Sequence, residues 1–523
     1  MTTRPREWFL ARSERGNLAT HVHAGHPGES EWSDGNLVVP LVHGATYFAR
    51  LHAELTALEP GDRVWFTDWR GDADERLRPG GPTIGDLLAN LARAGVEVRG
   101  LLWRSHGEKI SGPMSGRSNE LLGRKINDAG GEALLDQRVR AFGSHHQKFF
   151  VIQHPDEPER DVAFVGGLDL CHSRRDDAEH GGDPQAVDMD PRYGRTPPWH
   201  DAALELHGPV IADLLALFAE RWNDPTPLDR DMPYLMLLQR LARMPRHPAP
   251  LPATSPAPPA AGSHSVQLLR TFGVNHPPFP FAPEGERTVA RGLEKAFARA
   301  ERLVYIEDQY LWSTQVVSGL ARALRAKPNL QVIVVLPRYP DQDGTLTGPP
   351  SRLGQIRALR SLHRAGPGRV GVFDLENAGG TPIYVHAKIC IVDDSWFTCG
   401  SANINRRSWT SDSELTCAVV DDDPDPTLAR SFRTELWAEH LGIAASDSRI
   451  IDLDDSLSIW SDAAAALDAW HAGGRRGARP AGQLRTHTPA PVGPITRIWA
   501  GLLARFLFDP DGRPRRERGT NRF

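Results

Sequence analysis

The chain has 523 residues, of which 40% are hydrophobic and 24% charged, with a formal net charge of −5. That length and apolar content suffice for more than one buried core, and the charge offers no global attraction for a polyanion, so nucleic acid is not an expected partner. Four cysteines, Cys171, Cys390, Cys399 and Cys417, show no C-x-x-C spacing. They read as free thiols in a reducing compartment, with metal binding not expected.

Met1 to Asn17 is charged and carries no apolar run of signal-peptide length, and no later window approaches a membrane span. A cytoplasmic protein is expected, touching a membrane at most peripherally. His21, His23 and His26 lie in a polar stretch without an obvious carboxylate partner and read as incidental surface histidines. Val64–Asp68 and the run from Val96 to Trp103 are predicted strands separated by a helical segment. A third apolar run, opening with His145, His146, Gln147 and Lys148, leads past Gln153 to Gly166-Gly167-Leu168-Asp169. The Gly-, Asp- and Pro-rich stretch from Asp176 to Pro198 predicts a loop, followed by Trp199-His200-Asp201 and a helix ending in Arg221-Trp222-Asn223.

Seven prolines between Pro245 and Gly262 mark a linker, because no packed element tolerates that density. Beyond it the order repeats. Val304–Asp308 stands 240 residues after Val64–Asp68, the offset that also separates His386 from His146. Domain duplication explains so long a period better than a solenoid does. The division expected is 1–244, a linker at 245–262, 263–450, and a C-terminal extension at 451–523. In the extension Ile495, Ile498, Trp499, Leu502, Leu503, Phe506 and Leu507 fall at helical spacing beside several arginines. A terminal helix docked on the body is the preferred reading, and an amphipathic helix on anionic lipid the alternative.

The chemistry concentrates in the two apolar runs. His386-Ala387-Lys388 is followed by Asp393 and then Gly400-Ser401-Ala402-Asn403, an H-x-K-x4-D-x6-G-S-x-N pattern without a gap. Histidine and lysine two apart on an extended strand share one face, and an imidazole with an ammonium suits a compact anion such as phosphate. The Gly166-Gly167 and Gly400-Ser401 pairs are expected to bring backbone N–H groups to that charge. Lys148, Lys388 and Asn403 would stabilise the non-bridging oxygens, with Asp169 at the first-half position matching Asn403. Asp393, an odd step from Lys388, faces away and is expected to be structural, as is Gln153 at the matching first-half position.

These residues resemble the phospholipase D superfamily, whose members carry two H-K-D motifs, and the likeness extends from about residue 35 to 442 through Pro198-Trp199-His200-Asp201, Glu307-Asp308-Gln309-Tyr310, Asp412-Ser413-Glu414 and Glu439-His440-Leu441-Gly442. The resemblance implies two duplicated α/β/α sandwich domains around one shared active site and a metal-independent, cofactor-free reaction through a phosphohistidine. It implies His146 as nucleophile and His386 as general acid, with Asp201 and Glu414 orienting the imidazoles. It further implies a phospholipase D hydrolysing phosphatidylcholine-like lipids to phosphatidic acid and free head group, with transphosphatidylation as the other fate of the intermediate, and a monomer is expected because both motifs lie in one chain. The alternatives are a cardiolipin synthase-like phosphatidyltransferase, a phosphodiesterase acting on nucleic acid, and a degenerate scaffold, for which only Gln153 speaks.

Overall fold

The computed structural model describes residues 5–523 except 25, 27–29, 105–115, 141–142, 231, 254, 342–347, 424, 504–508, 519 and 521–522. Its first half contributes strands β1 (Ser33–Val42), β2 (Arg63–Asp68), β3 (Glu97–Trp103), β4 (Glu132–Asp136), β5 (Phe149–Gln153), β6 (Val162–Gly166) and β7 (Ala202–His207). The second half contributes β8 (His264–Phe272), β9 (Leu303–Glu307), β10 (Gln331–Val335), β11 (Val370–Glu376), β12 (Ile389–Val392), β13 (Trp396–Gly400) and β14 (Glu414–Asp421). The first sheet runs β4-β3-β2-β5-β6-β7-β1, parallel across its first three strands and antiparallel beyond. The second runs β11-β10-β9-β12-β13-β14-β8 with the same senses. Strand for strand, the second sheet repeats the first. They meet where β1 pairs with β8 through Ser33 and Asn36.

Helices occupy matching places too. Those of the first half are α1 (Gly44–Thr56), α2 (Ile84–Ala94), α3 (Gly116–Asn127) and α4 (Val210–Trp222), and those of the second are α5 (Thr288–Arg299), α6 (Ser318–Ala326), α7 (Gly348–Ala365) and α8 (Leu428–Leu441). Local signals place them. Helix α2, for example, starts at Thr83, whose side chain accepts the Asp86 N–H, and stops at Gly95 in left-handed backbone.

The strands are apolar on both faces because both faces are buried. Val64 and Phe66 of β2 pack against α1 and α2, whereas Trp65 between them points into a central core. That core joins β5, β6 and β7 to β9, β12 and β13 and takes in α4 and α8. Helices α5, α6 and α7 cover the opposite face of the second sheet. Among the described residues 245–262 hold neither helix nor strand. The C-terminal segment is built into the second half, since Leu484–Thr486 pairs with the free edge of β11 and Trp460 enters the central core. Helix Pro494–Leu503 lies beside α7, with Ala500 buried. Phe506 and Leu507 of the apolar stripe fall outside the described residues, and no described helix is long and apolar enough to cross a membrane.

Asp393 occupies the turn after β12, in left-handed backbone. Its carboxylate accepts the N–H groups of Glu301, Arg302 and Leu303 at 2.7, 2.9 and 2.7 Å, fixing the entry to β9. In the first half Gln153 ends β5 with Oε1 buried and unpartnered, and Asp161 closes the adjoining turn by accepting the His154 N–H at 2.6 Å. Asp393→Ala is expected to lower the free energy of unfolding by about 1–3 kcal/mol in urea titrations while leaving the pocket described below unchanged.

Candidate active site

Both histidine–lysine pairs lie just ahead of their strands, because β5 begins at Phe149 and β12 at Ile389. The sequence placed His386 to Val392 on one strand. The sheet ladder instead ends at the Thr67–Phe149 and Glu307–Ile389 pairs, because the preceding backbone turns to the other half of the molecule. The His146 N–H donates to the Ser413 carbonyl at 2.8 Å, and the Ser413 N–H returns a bond to Ser144 at 2.9 Å. Correspondingly, the His386 N–H donates to the His200 carbonyl at 2.8 Å, continuing a short parallel pairing of Tyr384 and Val385 with Trp199 and His200.

This exchange puts each imidazole beside the other half's acid. His146 Nδ1 lies 2.8 Å from Glu414 Oε2, and His386 Nδ1 lies 2.6 Å from Asp201 Oδ2. With Nδ1 engaged by a carboxylate, Nε2 is the nitrogen left to face a substrate. Ser401 also donates its hydroxyl to Glu414 Oε2. The surroundings are closed, yet the side chains of His146 and His386 keep 14% and 7% of their surface exposed. Trp69 stands edge-on to His146, and Trp199 packs against His386.

Lys148 Nζ lies 3.3 Å from Asp169 Oδ1 and donates to the His146 carbonyl at 3.1 Å. Lys388 donates to the carbonyl of His386. The groups form one electrostatic unit, in which Asp169 responds to Lys148, Arg174, His386 and His146, and Lys388 responds to Lys148. Burial works against the Asp169 charge, but these cations outweigh it and hold the carboxyl below its usual range. Burial brings Lys388 down to about 8, with Lys148 adding to the effect and Asp201 opposing it. Burial, then Lys388 and Arg174, hold His386 well below the ordinary imidazole range. Asn403, at the position matching Asp169, is buried with Oδ1 unpartnered.

The glycines do something other than expected. Gly167 gives its N–H to the Ala202 carbonyl at 3.2 Å and Ser401 gives its own to Leu415 at 2.8 Å, so neither donor is free for a phosphate. A Cβ on Gly167 would stand 2.4 Å from Asp201 Oδ1, and one on Gly166 or Gly400 would strike the neighbouring strand. They make room for the acid-bearing strands.

Four supporting residues escaped the sequence reading. Asp68 accepts the Leu170 N–H at 2.8 Å and Asp308 accepts the Ile404 N–H at 2.7 Å, pinning the Asp169 and Asn403 loops equivalently. The 240-residue repeat carries that signal, since Asp68 ends β2 and Asp308 directly follows β9 at the matching position. Arg174, 3.3 Å from Asp169 Oδ2, lies over Trp199, and buried Arg221 donates to Ser413 Oγ at 2.8 Å. Only the fold brings these two to the site. His145 is buried, and burial followed by Arg221 keeps its imidazole neutral. His23 is buried rather than on the surface, because Asp213, 190 residues later, takes its Nδ1 at 3.0 Å and His26 Nε2 at 2.7 Å. Ligand-capable atoms also converge at His43, His180, His200 and Glu439, and at His200, Glu307 and His440.

Known proteins can be set beside this geometry. A family model described as "Phospholipase D" matches residues 73–317, and one described as "Cardiolipin synthase, PLD-like domain" matches 293–438, so that together they span both histidine–lysine pairs. The chain belongs to the phospholipase D superfamily. It is 28% identical to phospholipase D alpha 2 of Oryza sativa subsp. japonica and 25% identical to phospholipase D alpha 1 of Zea mays, each over 70% of this chain and 59% of the relative. The chain thus spans about three fifths of the length of these relatives. Among solved structures, phosphatidylserine synthase of Haemophilus influenzae Rd KW20 matches with a TM-score of 0.54 and 13% identity, over 85% of this chain and 95% of that one, a likeness of fold.

The crossed dyads can be read by nitrogen-15 spectroscopy of the imidazoles. Asp201→Asn should perturb the Nδ1–H of His386 and spare that of His146, and Glu414→Gln should do the reverse.

Proposed function

We propose that the chain is a phospholipase D-type phosphodiesterase that cleaves phosphatidylcholine-like glycerophospholipids to phosphatidic acid and free head group. The observation that carries this reading is the pair of crossed histidine–carboxylate dyads around two buried lysines. Two imidazoles with fixed Nδ1 protons supply a nucleophile and a proton donor, and Lys148 and Lys388 supply positive charge for the non-bridging oxygens. The "Phospholipase D" family match and the alpha-type relatives favour a lipid substrate.

In the reaction proposed, His146 Nε2 attacks phosphorus, an N–P bond forms and the P–O bond to the head group breaks. His386 Nε2–H gives its proton to the departing alcohol. Water then attacks the phosphohistidine, losing its proton to His386 as the N–P bond breaks. An alcohol in place of water completes transphosphatidylation. Asp201 and Glu414 hold the imidazoles and stabilise them while protonated. Burial first, and then Lys388, Arg174 and Lys148, hold the His386 imidazole down in the free site, and the negative charge of a bound phosphate offsets the three cations. That depression is also what favours the exchanged assignment, with His386 attacking and His146 donating.

His146→Ala and His386→Ala are each expected to abolish head-group release, and the double variant to be no worse than either, because the two act as a unit. Substantial turnover by one single variant contradicts the shared site. The basic limb of kcat/KM is expected near pH 8, the value to which burial brings Lys388. Below it the ammonium is present, and as pH rises through it the positive charge that faces the phosphate oxygens is lost. Lys388→Arg, whose charge persists, should remove that limb from whatever activity remains.

A further inference from the structure

Behind the His386–Asp201 dyad lies a second group of side chains that the phosphodiester chemistry leaves unused. His43 opens α1, His180 sits in the loop before Trp199, His200 precedes Asp201, and Glu439 projects from α8 of the second half. All three histidines are buried. His43 Nε2 lies 2.6 Å from Glu439 Oε2, His180 Nε2 lies 3.0 Å from Glu439 Oε1, and His200 Nδ1 lies 3.9 Å from Glu439 Oε1. The donor atoms all fall within 4.8 Å of one another. Four donors about 2.0–2.1 Å from one tetrahedral ion stand about 3.3 Å apart, which these separations bracket.

Two further observations point to a ligand. His200 Nδ1 is buried and has no hydrogen-bond partner, although it faces Glu439. Two of the three imidazoles are also backed on their far sides as metal-bound histidines are, while His43 Nδ1 is buried without a partner. His200 Nε2 meets Glu307 Oε2 at 2.7 Å and His180 Nδ1 meets Asp176 Oδ2 at 3.4 Å, leaving Nδ1 of His200 and Nε2 of His180 to point inward. Glu307 is itself held by His440 at 2.9 Å and by the Tyr305 hydroxyl.

We propose that His43, His180, His200 and Glu439 bind a divalent ion of the zinc type in a closed, structural site that ties the two halves together behind the catalytic pocket. Three neutral imidazoles and one carboxylate suit zinc, and Glu307 and Asp176 lie behind His200 and His180 as the carboxylate partners of metal-bound histidines do. The site is coupled to the dyad by backbone, since the His43 N–H donates to the Asp201 carbonyl at 2.9 Å and His200 adjoins Asp201. It does not depend on which phosphodiester the enzyme cleaves.

His43 offers an informative variant. Its backbone, at φ 69° and ψ 150°, lies where glycine is at ease, so His43→Gly removes a donor without straining the fold. The full chain, stripped with a chelator, is titrated with zinc alone and followed by metal content, competition with a chromophoric chelator, and thermal melting. One zinc per chain is expected, raising the melting temperature by several degrees and reversed by chelator. His43→Gly and Glu439→Gln should each bind roughly 100-fold more weakly, while His43→Gly melts no lower than the zinc-free parent. His26→Ala, in the separate His23–His26–Asp213 group, should bind as the parent does. Absence of stoichiometric zinc, undiminished binding by His43→Gly, or loss of binding in His26→Ala overturns the proposal.

Discussion

Everything at this site depends on a backbone exchange between the two halves. Residues 144–146 leave their own sheet to pair with Ser413, and Tyr384 to His386 leave theirs to pair with Trp199 and His200. Each exchange sets a histidine against the acid one residue beyond the pairing, Glu414 or Asp201. Neither half folded alone would hold a complete dyad. Because buried backbone N–H groups must be paired, the hydrogen bonds that join the halves are the ones that position the imidazoles.

Electrostatics gives that geometry its tension. Lys148, Lys388 and Arg174 act on the same small volume as Asp169 and Asp201, where every charge is costly unless matched. The first half neutralises its lysine with Asp169, whereas the second presents Asn403 at the matching position. Lys388 is therefore the more weakly compensated cation, which makes it the place where an incoming anion gains most.

Much of this was legible in the sequence, and the reasons are physical. Strand order and duplication follow from apolar runs repeated at a fixed offset, and two-residue spacing put histidine and lysine on one side even though the ladder starts after the lysine. Asp201 and Glu414 could be picked out by resemblance, but their crossing could not, since it depends on pairings 185 and 268 residues apart. The same blindness to tertiary partners misread His23, whose partner Asp213 comes from α4. The glycines were misread for another cause. A glycine that lets a phosphate approach and one that lets a strand approach look alike in sequence, and only the ladder hydrogen bonds of Gly167 and Ser401 separate them.

The central claim is that two motifs make one reaction centre, and trapping the covalent intermediate tests it most directly. Phospholipid labelled in its phosphate is mixed with stoichiometric enzyme, quenched within one turnover, and the alkali-stable adduct is counted and mapped by peptide. The account predicts one phosphohistidine per chain, on the peptide bearing His146, and none in the His386→Ala, His146→Ala double variant. Two adducts per chain, one on each motif histidine, would contradict a shared site and make the halves independent.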